Sequence, residues 1–119
     1  MHVPVLLNEV LDHLQPREGE IYVDATFGAG GYTKAILNSA DCKVFAIDRD
    51  LNAINLANKV KEEFKDRFEF LRGNFSQVKD LLAAKNVDYI DGIVFDLGVS
   101  SMQFDEMERG FSFDSDAKL

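Results

Sequence analysis

A glycine-rich stretch and an acidic residue beyond it form the clearest chemical pattern in the sequence. The stretch DATFGAGGY covers residues 24–32, between an apolar run and a helical pattern, and Asp48 follows Gly28 by twenty residues. Glycines in such a turn let the backbone approach a ligand or adopt positive φ, and the following helix N-terminus offers free N–H groups. An acid about 20 residues further along commonly binds ribose hydroxyls. The pattern therefore predicts a site for an adenosine-containing cofactor.

Two kinds of cofactor use a turn of this type. The dinucleotide fingerprint G-x-G-x-x-G needs a glycine at position 33, which is absent here. The turn of S-adenosylmethionine-dependent methyltransferases, D/E-x-G-x-G-x-G, matches except that Thr26 replaces the first glycine. S-adenosylmethionine therefore fits better. A nicotinamide-dependent oxidoreductase, a non-catalytic adenosine-binding module and a merely tight turn with a solvated Asp48 remain as alternatives.

Nucleophilic chemistry finds little support in the sequence. The single cysteine, Cys42, excludes a disulfide framework and a cysteine-cluster metal site. Methylation of cytosine at C5 would need a cysteine nucleophile. Cys42 precedes the second predicted strand, away from the strand ends that bear the site, so we expect it to be a small, semi-buried filler. Ser100 and Ser101 lack a nearby His–Asp pair, which disfavours nucleophilic hydrolysis.

Helical patterns alternate with short apolar runs along the chain. We predict helices over residues 7–14, 33–38, 51–64 and 78–82, the last with Ser76 as its N-cap, and strands over 21–25, 43–47, 68–71 and 91–97. This alternation is typical of βαβ units. It predicts an α/β fold with a doubly wound parallel sheet.

The fourth predicted strand bears on the extent of the domain. Its residues 93–97 are apolar without alternation, as in a strand that is buried on both faces. We identify no further strand after it, which would leave a central strand as an exposed edge. The tail could fold back to cover it. We favour the interpretation that residues 1–119 are the N-terminal, cofactor-binding part of a longer domain.

Composition and charge limit the setting and the partners. With 46% hydrophobic residues and ten Phe, the chain has the material for a core and is not disordered. Its net charge is −8, and residues 88–119 contribute −6 of this. A chain so acidic should not bind nucleic acid through phosphate contacts alone, so a basic groove would lie elsewhere or in a partner. No apolar run nears the roughly 20 residues of a membrane helix and no signal-peptide pattern is present. A soluble, cytoplasmic setting without membrane contact is expected.

Several short strings occur together in a specific order. They are HVPV at 2–5 with EV at 9–10, DATFGAGG at 24–31, AIDRD at 46–50, NFS at 74–76, DLGVSS at 96–101 with Gln103, and ERGFSF at 108–113. Over essentially the whole chain, this order resembles the MraW family of bacterial 16S ribosomal RNA cytosine-N4 methyltransferases. The resemblance implies the Rossmann-like class I methyltransferase fold, S-adenosylmethionine as cofactor, and a cytosine in the decoding region of 16S ribosomal RNA in the small subunit as substrate. It also implies a helical substrate insertion and further strands beyond Leu119.

The resemblance also implies a set of cofactor contacts. By motif they fall on Gly30, Gly31, Tyr32, Asp48, Phe75, Asp96 and Gln103. In this set the glycine turn would approach the methionine half, Asp48 would accept from the ribose hydroxyls, and Phe75 would lie against the adenine. The family usually has His at the position of Tyr32 and often Pro at that of Met102. A backbone contact at Tyr32 would be little changed, whereas an imidazole role would be lost.

Asp96 is the candidate for the chemical step. The N4 amine of cytosine is a poor nucleophile because its lone pair is delocalised into the ring. Acceptors for its N–H groups would help to localise that lone pair. Many amino-methyltransferases supply them with Asp/Asn-Pro-Pro-aromatic, where this chain has DLGV at 96–99 without prolines. Asp96 could be that acceptor or could serve only the cofactor, and both roles stay open.

Overall fold

Parallel strands form the centre of the molecule, with helices on both faces of the sheet. The computed structural model describes residues 4–25, 27, 31–95 and 98–101. In chain order the elements are α1 (Pro4–Leu14), β1 (Ile21–Asp24), α2 (Gly31–Ser39), β2 (Lys43–Asp48), α3 (Ala53–Phe64), β3 (Phe68–Arg72), α4 (Val78–Ala83), β4 (Gly92–Phe95) and β5 (Gly98–Ser101). Short 3-10 turns over Lys65–Arg67 and Phe75–Gln77 precede β3 and α4. The four predicted helices and four predicted strands are confirmed.

The sheet order is β3-β2-β1-β4-β5. Strand β1 pairs in parallel with β2 and β4, and β2 pairs in parallel with β3. The order reverses between β1 and β4, because the chain leaves β3 and returns to the opposite side of β1. Ligands of such folds collect at the carboxyl ends of the strands beside this reversal.

Continuous apolar runs let each central strand serve two cores at once. Successive side chains of a strand point to opposite faces, so alternate residues of β2 enter different clusters. Val44 and Ala46 pack with α1, α2 and α3, whereas Phe45 and Ile47 pack with α4 and Ile90. In β4, Val94 likewise enters the first cluster and Ile93 the second, so the burial on both faces that was expected for this strand is confirmed. Such burial explains why these strands show no apolar alternation.

The fifth strand differs from the sequence expectation. β5 follows β4 after a short connection and pairs with it antiparallel, with Gly92 opposite Ser101 and Phe95 opposite Gly98. The prediction that no strand follows β4, leaving its edge unpaired, is therefore wrong. This strand was not predicted from the sequence, because GVSS shows little of the apolar patterning typical of strands. A hairpin needs only a short connection to satisfy the open edge of β4.

The start of α4 also differs from the prediction. Asn74, not Ser76, provides the cap of this segment. The Asn74 side chain accepts the backbone N–H of Gln77, and the Gln77 side chain accepts the backbone N–H of Asn74 at 2.8 Å. This reciprocal pair caps the 3-10 turn that precedes the helix. Ser76 lies inside that turn, so the N-cap prediction is wrong by two residues.

Arg67 ties the turn after α3 to the loop between α2 and β2. Its guanidinium donates to three backbone carbonyls, those of Leu37 at 2.5 Å, Ala40 at 2.6 Å and Cys42 at 3.0 Å. It also lies 3.2 Å from the carboxylate of Asp41. One planar side chain thus satisfies carbonyls at the end of one helix and the start of the next strand.

We expect Arg67→Met to lower the free energy of unfolding by about 2–4 kcal/mol, because several carbonyls lose a charged donor. The group is about one-third exposed, which keeps the expected loss below the sum of separate bonds. Urea unfolding followed by circular dichroism measures it. Lys59→Met, on the exposed surface of α3, is the matched control and should change stability by less than about 0.5 kcal/mol. Equal effects of the two changes would contradict the anchoring role.

None of the helices in the described part of the chain is long and apolar enough to span a membrane.

Candidate cofactor-binding site

The carboxyl ends of β1, β2 and β3 lie side by side. Asp24 of β1 is in register with Ala46 of β2, so β2 extends two residues further before it ends at Asp48. Asp48 is in turn in register with Arg72, the last residue of β3. The loops that follow these strands therefore open at one edge of the sheet. This arrangement brings together the glycine turn, the acid after β2 and the aromatic segment after β3.

Backbone and side-chain contacts fix the base of the glycine turn. Asp24 and Thr33 are both 0% exposed, and Thr33 Oγ1 donates to Asp24 Oδ2 at 2.6 Å. The N–H of Ala25 donates to the carbonyl of Val94 at 2.8 Å, which continues the pairing of β1 with β4. The turn thus leaves β1 and enters α2 at two fixed points.

The side chain of Phe27 anchors the glycine-rich stretch in the hydrophobic core. This residue lies within the glycine-rich stretch but is fully buried. Its ring centroid lies 5.6 Å from those of both Phe68 and Phe70 on β3. Such tilted aromatic contacts add packing energy beyond the buried area. The aromatic residue of the motif therefore serves the core, and its contacts fix the turn relative to the sheet.

Gly31 and Tyr32 begin α2. Gly31 is exposed and its φ is not positive. A Cβ placed there would lie 4.0 Å from Leu7 Cδ2, an ordinary van der Waals contact. The fold itself therefore does not require glycine at this position. Tyr32 is half-buried against the core beside α2. The first N–H groups of a helix have no intrahelical acceptor, so both residues can offer backbone donors to a ligand.

Asp48 ends β2 with a fixed carboxylate. Its Oδ1 accepts the backbone N–H of Asp50 at 2.9 Å, and its backbone carbonyl accepts the N–H of Gly73 at 3.1 Å. The side chain is partly exposed at the carboxyl edge. Because one oxygen is oriented by the backbone, the carboxylate is preorganised to accept hydroxyl donors. Its position agrees with the ribose-binding role predicted from the sequence.

Phe75 lies in the 3-10 turn after β3 and remains 37% exposed. Its ring centroid is 5.4 Å from that of Phe95, the last residue of β4. Gly73 leaves room for the close packing of this turn against α4, because a Cβ there would lie 2.8 Å from Leu81 Cδ1 and 2.9 Å from Gln77 Oε1. A partly exposed aromatic ring therefore stands at the carboxyl edge of the sheet, where the predicted contact with an adenine would be made.

Three residues of the predicted contact set lie outside the described residues. They are Gly30, Asp96 and Gln103, and Gly28 of the turn is also among the residues not described. The structure brings Gly31, Tyr32, Asp48 and Phe75 to the carboxyl edge. The roles predicted for the other three stay predictions.

Several displaced pKa values belong to the scaffold. Burial raises the pKa of Tyr22, Cys42 and Asp91, and the hydrogen bond from Lys85 lowers the pKa of Glu69. These groups lie towards the amino-terminal ends of the strands, opposite the candidate site. Cys42 is 3% exposed, so it is more deeply buried than the semi-buried filler that the sequence predicted. Its raised pKa favours the protonated thiol.

Metal binding has no support in the part of the chain that the structure describes. No three His, Cys, Asp or Glu side chains are grouped there so as to hold a metal ion. The donor set at the carboxyl edge, a carboxylate, helix N–H groups and an aromatic ring, suits a nucleoside.

Sequence comparison gives the family of the chain. A sequence model of the MraW methylase family matches residues 1–119. The chain belongs to the MraW methylase family. The resemblance inferred from the motifs is thereby confirmed.

Curated relatives in this family agree with the match. The chain is 53% identical over 119 residues to the ribosomal RNA small subunit methyltransferase H of Ehrlichia canis (strain Jake). It is 56% identical over 118 residues to the protein of the same name from a Wolbachia of Drosophila simulans (strain wRi). These alignments cover 100% and 99% of this chain but 40% of each relative. The chain thus spans about two fifths of the length of these family members.

Solved structures show the same fold. The C-terminal domain of precorrin-6Y C5,15-methyltransferase from Rhodobacter capsulatus superposes with a TM-score of 0.65 at 17% identity, covering 92% of this chain and 57% of that one. A geranyl diphosphate methyltransferase in complex with SAM gives a TM-score of 0.53 at 26% identity, covering 59% of this chain and 29% of that one. The predicted Rossmann-like methyltransferase fold is confirmed.

Sequence reasoning missed two features of the site. Phe95 was included only as an apolar strand residue. Its contact with Phe75 joins the end of β4 to the turn after β3, although β3 and β4 do not pair. Thr33 was included only as the start of a helix, although its hydroxyl reaches Asp24 nine residues earlier. An Asp and a Thr nine residues apart across a glycine turn are the one indication that the sequence offers.

Proposed function

We propose that the chain is the cofactor-binding part of an S-adenosylmethionine-dependent methyltransferase that acts on ribosomal RNA. The placement of Asp48 at the end of β2, beside the glycine turn after β1, carries this proposal. Membership of the MraW methylase family and the fold shared with methyltransferases support it. The donor set fits the cofactor: Asp48 for the ribose, backbone N–H groups at Gly31 and Tyr32 for polar groups, and Phe75 for the adenine face.

The finer substrate assignment is part of the same proposal. The relatives are named ribosomal RNA small subunit methyltransferase H, which supports 16S ribosomal RNA in the small subunit as the partner. We propose the N4 amine of a cytosine in the decoding region as the acceptor. The cofactor supplies an electrophilic methyl group on a sulfonium, and the chain contributes mainly positioning. Within this proposal Asp96, which follows β4 in the sequence, accepts an N–H of the target amine.

The net charge suggests that cofactor binding and RNA binding lie in different parts of the protein. At −8 overall, the chain is poorly suited to hold an RNA backbone by itself, and its last 32 residues carry −6 of that charge. We therefore propose that the RNA-binding surface lies largely outside residues 1–119. A helical insertion and further strands beyond Leu119 remain part of this proposal.

Isothermal titration calorimetry tests the cofactor. We expect saturable binding of S-adenosylmethionine and no binding of NAD, because position 33 lacks the third glycine of the dinucleotide turn. S-Adenosylhomocysteine, which lacks the transferable methyl group, should bind comparably and controls for contacts to adenosine. Binding of NAD in place of S-adenosylmethionine would favour the oxidoreductase alternative. Binding without transfer by any extended form of the protein would favour the non-catalytic module.

Methyl transfer by the 119-residue chain alone is a separate prediction. We expect no detectable transfer to 16S ribosomal RNA or to purified small subunits, because a chain with a net charge of −8 is poorly suited to hold an RNA backbone by itself. Incorporation of radiolabelled methyl groups measures it, with a full-length relative such as the Ehrlichia canis protein as positive control. Robust transfer by the chain would contradict the proposal that it is only the cofactor-binding part.

A further inference from the structure

A buried carboxylate and a buried hydroxyl meet across the two ends of the glycine turn. Asp24 is the last residue of β1 and Thr33 is the third residue of α2. The bond between Thr33 Oγ1 and Asp24 Oδ2 is 2.6 Å long, which is short for a hydroxyl donor and typical of a bond to a charged acceptor. This bond therefore links the end of β1 to the first turn of α2, close to the backbone bond from Ala25 to Val94.

We propose that Thr33 is a positioning residue for the cofactor, acting through the backbone of Gly31 and Tyr32 at the start of α2. This inference rests on the proposed function and adds a residue outside the predicted contact set. The N–H groups at the start of α2 have no intrahelical acceptor and are the donors that a ligand can use. Those donors stand in a fixed place relative to Asp48 only if the first turn of α2 is held against the end of β1. The Thr33–Asp24 bond contributes to that constraint directly, because it joins the first turn of α2 to the last residue of β1.

The bond is not needed merely to keep α2 in the fold. Ile36 and Leu37, in the middle of the helix, are 0% and 2% exposed and pack in the core with the sheet. Burial of two such side chains contributes several kcal/mol to the attachment of the helix. The hydrogen bond lies at the N-terminal end, where its loss would change the start of the helix more than its attachment.

Thr33→Val tests the inference because it keeps the shape of the side chain and removes the hydroxyl. We expect the dissociation constant for S-adenosylmethionine, measured by calorimetry, to rise about tenfold, the scale of one hydrogen bond to a charged group. Thr33→Ser keeps the hydroxyl and should remain within about threefold of the parent chain. A rescue by serine but not by valine distinguishes the hydrogen bond from packing of the methyl group.

Ser39→Ala is the matched control at the other end of the same helix. Ser39 Oγ donates to the carbonyl of Ile36 at 2.8 Å, so this change also removes one hydroxyl donor from α2. Cofactor affinity should stay within about twofold, even if urea unfolding shows a loss of stability. Affinity losses that follow stability equally in Thr33→Val and Ser39→Ala would overturn the inference.

A double-mutant cycle keeps the test decisive if Thr33→Val is too unstable to titrate. Asp24→Asn neutralises the buried group, which lowers its desolvation cost, and leaves a weaker acceptor. Cofactor affinity of this variant should fall severalfold, and adding Thr33→Val should cost much less than tenfold more. Unchanged affinity in Asp24→Asn, or fully additive losses, would overturn the positioning role.

The two levels of the proposal fail in different ways. If the parent chain binds S-adenosylmethionine and Thr33→Val binds it equally well, the positioning role is wrong and the proposed function stands. If the parent chain binds no S-adenosylmethionine, the proposed function fails. Amide hydrogen exchange across residues 31–37 of the ligand-free chain then decides whether the Thr33–Asp24 bond orders the start of α2. Faster exchange in Thr33→Val but not in Ser39→Ala supports this ordering role. Equal exchange in the two variants overturns it.

Discussion

Asp48→Ala is expected to weaken S-adenosylmethionine binding by about 1.5–3 kcal/mol, or about 10- to 150-fold in the dissociation constant. The carboxylate stands at the end of β2 with Oδ1 held by the N–H of Asp50 at 2.9 Å. A preorganised, charged acceptor of this kind forms stronger hydrogen bonds with hydroxyls than a neutral one does. Calorimetric titration of the purified variant with S-adenosylmethionine measures the change.

Two companion variants make this experiment specific. Asp50→Ala removes the same charge from the same loop but leaves Asp48 in place, so cofactor affinity should stay within about twofold. Asp48→Asn keeps one acceptor oxygen and should give an intermediate loss. Circular dichroism of each variant establishes that it is folded. An unchanged dissociation constant in folded Asp48→Ala would remove Asp48 from the ribose-binding assignment.

Asp96→Asn is expected to lower the methylation rate by about a hundredfold or more if Asp96 accepts a proton or hydrogen bond from the target amine. Asparagine keeps the shape and one acceptor but loses the charge. The rate should be measured in single-turnover experiments at saturating S-adenosylmethionine, in a full-length protein that carries this segment. Cofactor affinity should change little, because the interaction would be made mainly in the transition state.

The opposite result assigns Asp96 to the cofactor alone. In that case the binding isotherm of Asp96→Asn would shift, and the single-turnover rate would largely recover once the cofactor saturates the enzyme. Asp48→Asn serves as the reference for a cofactor residue, since it should show that second pattern. A recovered rate in Asp96→Asn would therefore exclude it from the chemical step.

The sequence was sufficient to predict the alternating elements and the placement of four of the candidate site residues. The helix spacing and apolar runs are local properties, and α1, α3 and the four parallel strands lie within a few residues of their predicted bounds. Gly31, Tyr32, Asp48 and Phe75 could be placed at the carboxyl edge because parallel strands joined by helices end at the same edge. The roles of Gly30, Asp96 and Gln103 rest on the sequence alone.

Local sequence patterns did not predict two features in which a short polar segment forms hydrogen bonds with a neighbouring segment. β5 has no apolar alternation, and its pairing with β4 depends on the open edge that β4 presents. Ser76 is a good N-cap by type, but Asn74 and Gln77 satisfy each other across the preceding turn. In both cases a hydrogen-bonding requirement of the neighbouring backbone outweighed residue propensity.

The amino-acid sequence by itself thus determined the order of the four helices and the four parallel strands, the glycine turn and the acid after β2, since each depends on residues near one another in the chain. Only the tertiary structure decided which distant groups meet. Arg67 reaches carbonyls 25–30 residues earlier, and Phe75 contacts Phe95 across strands that do not pair. The Thr33 hydroxyl likewise finds the Asp24 carboxylate only once α2 is packed on the sheet. These contacts are not encoded in any local period, because burial and the need to satisfy every enclosed polar group select them after the chain has folded.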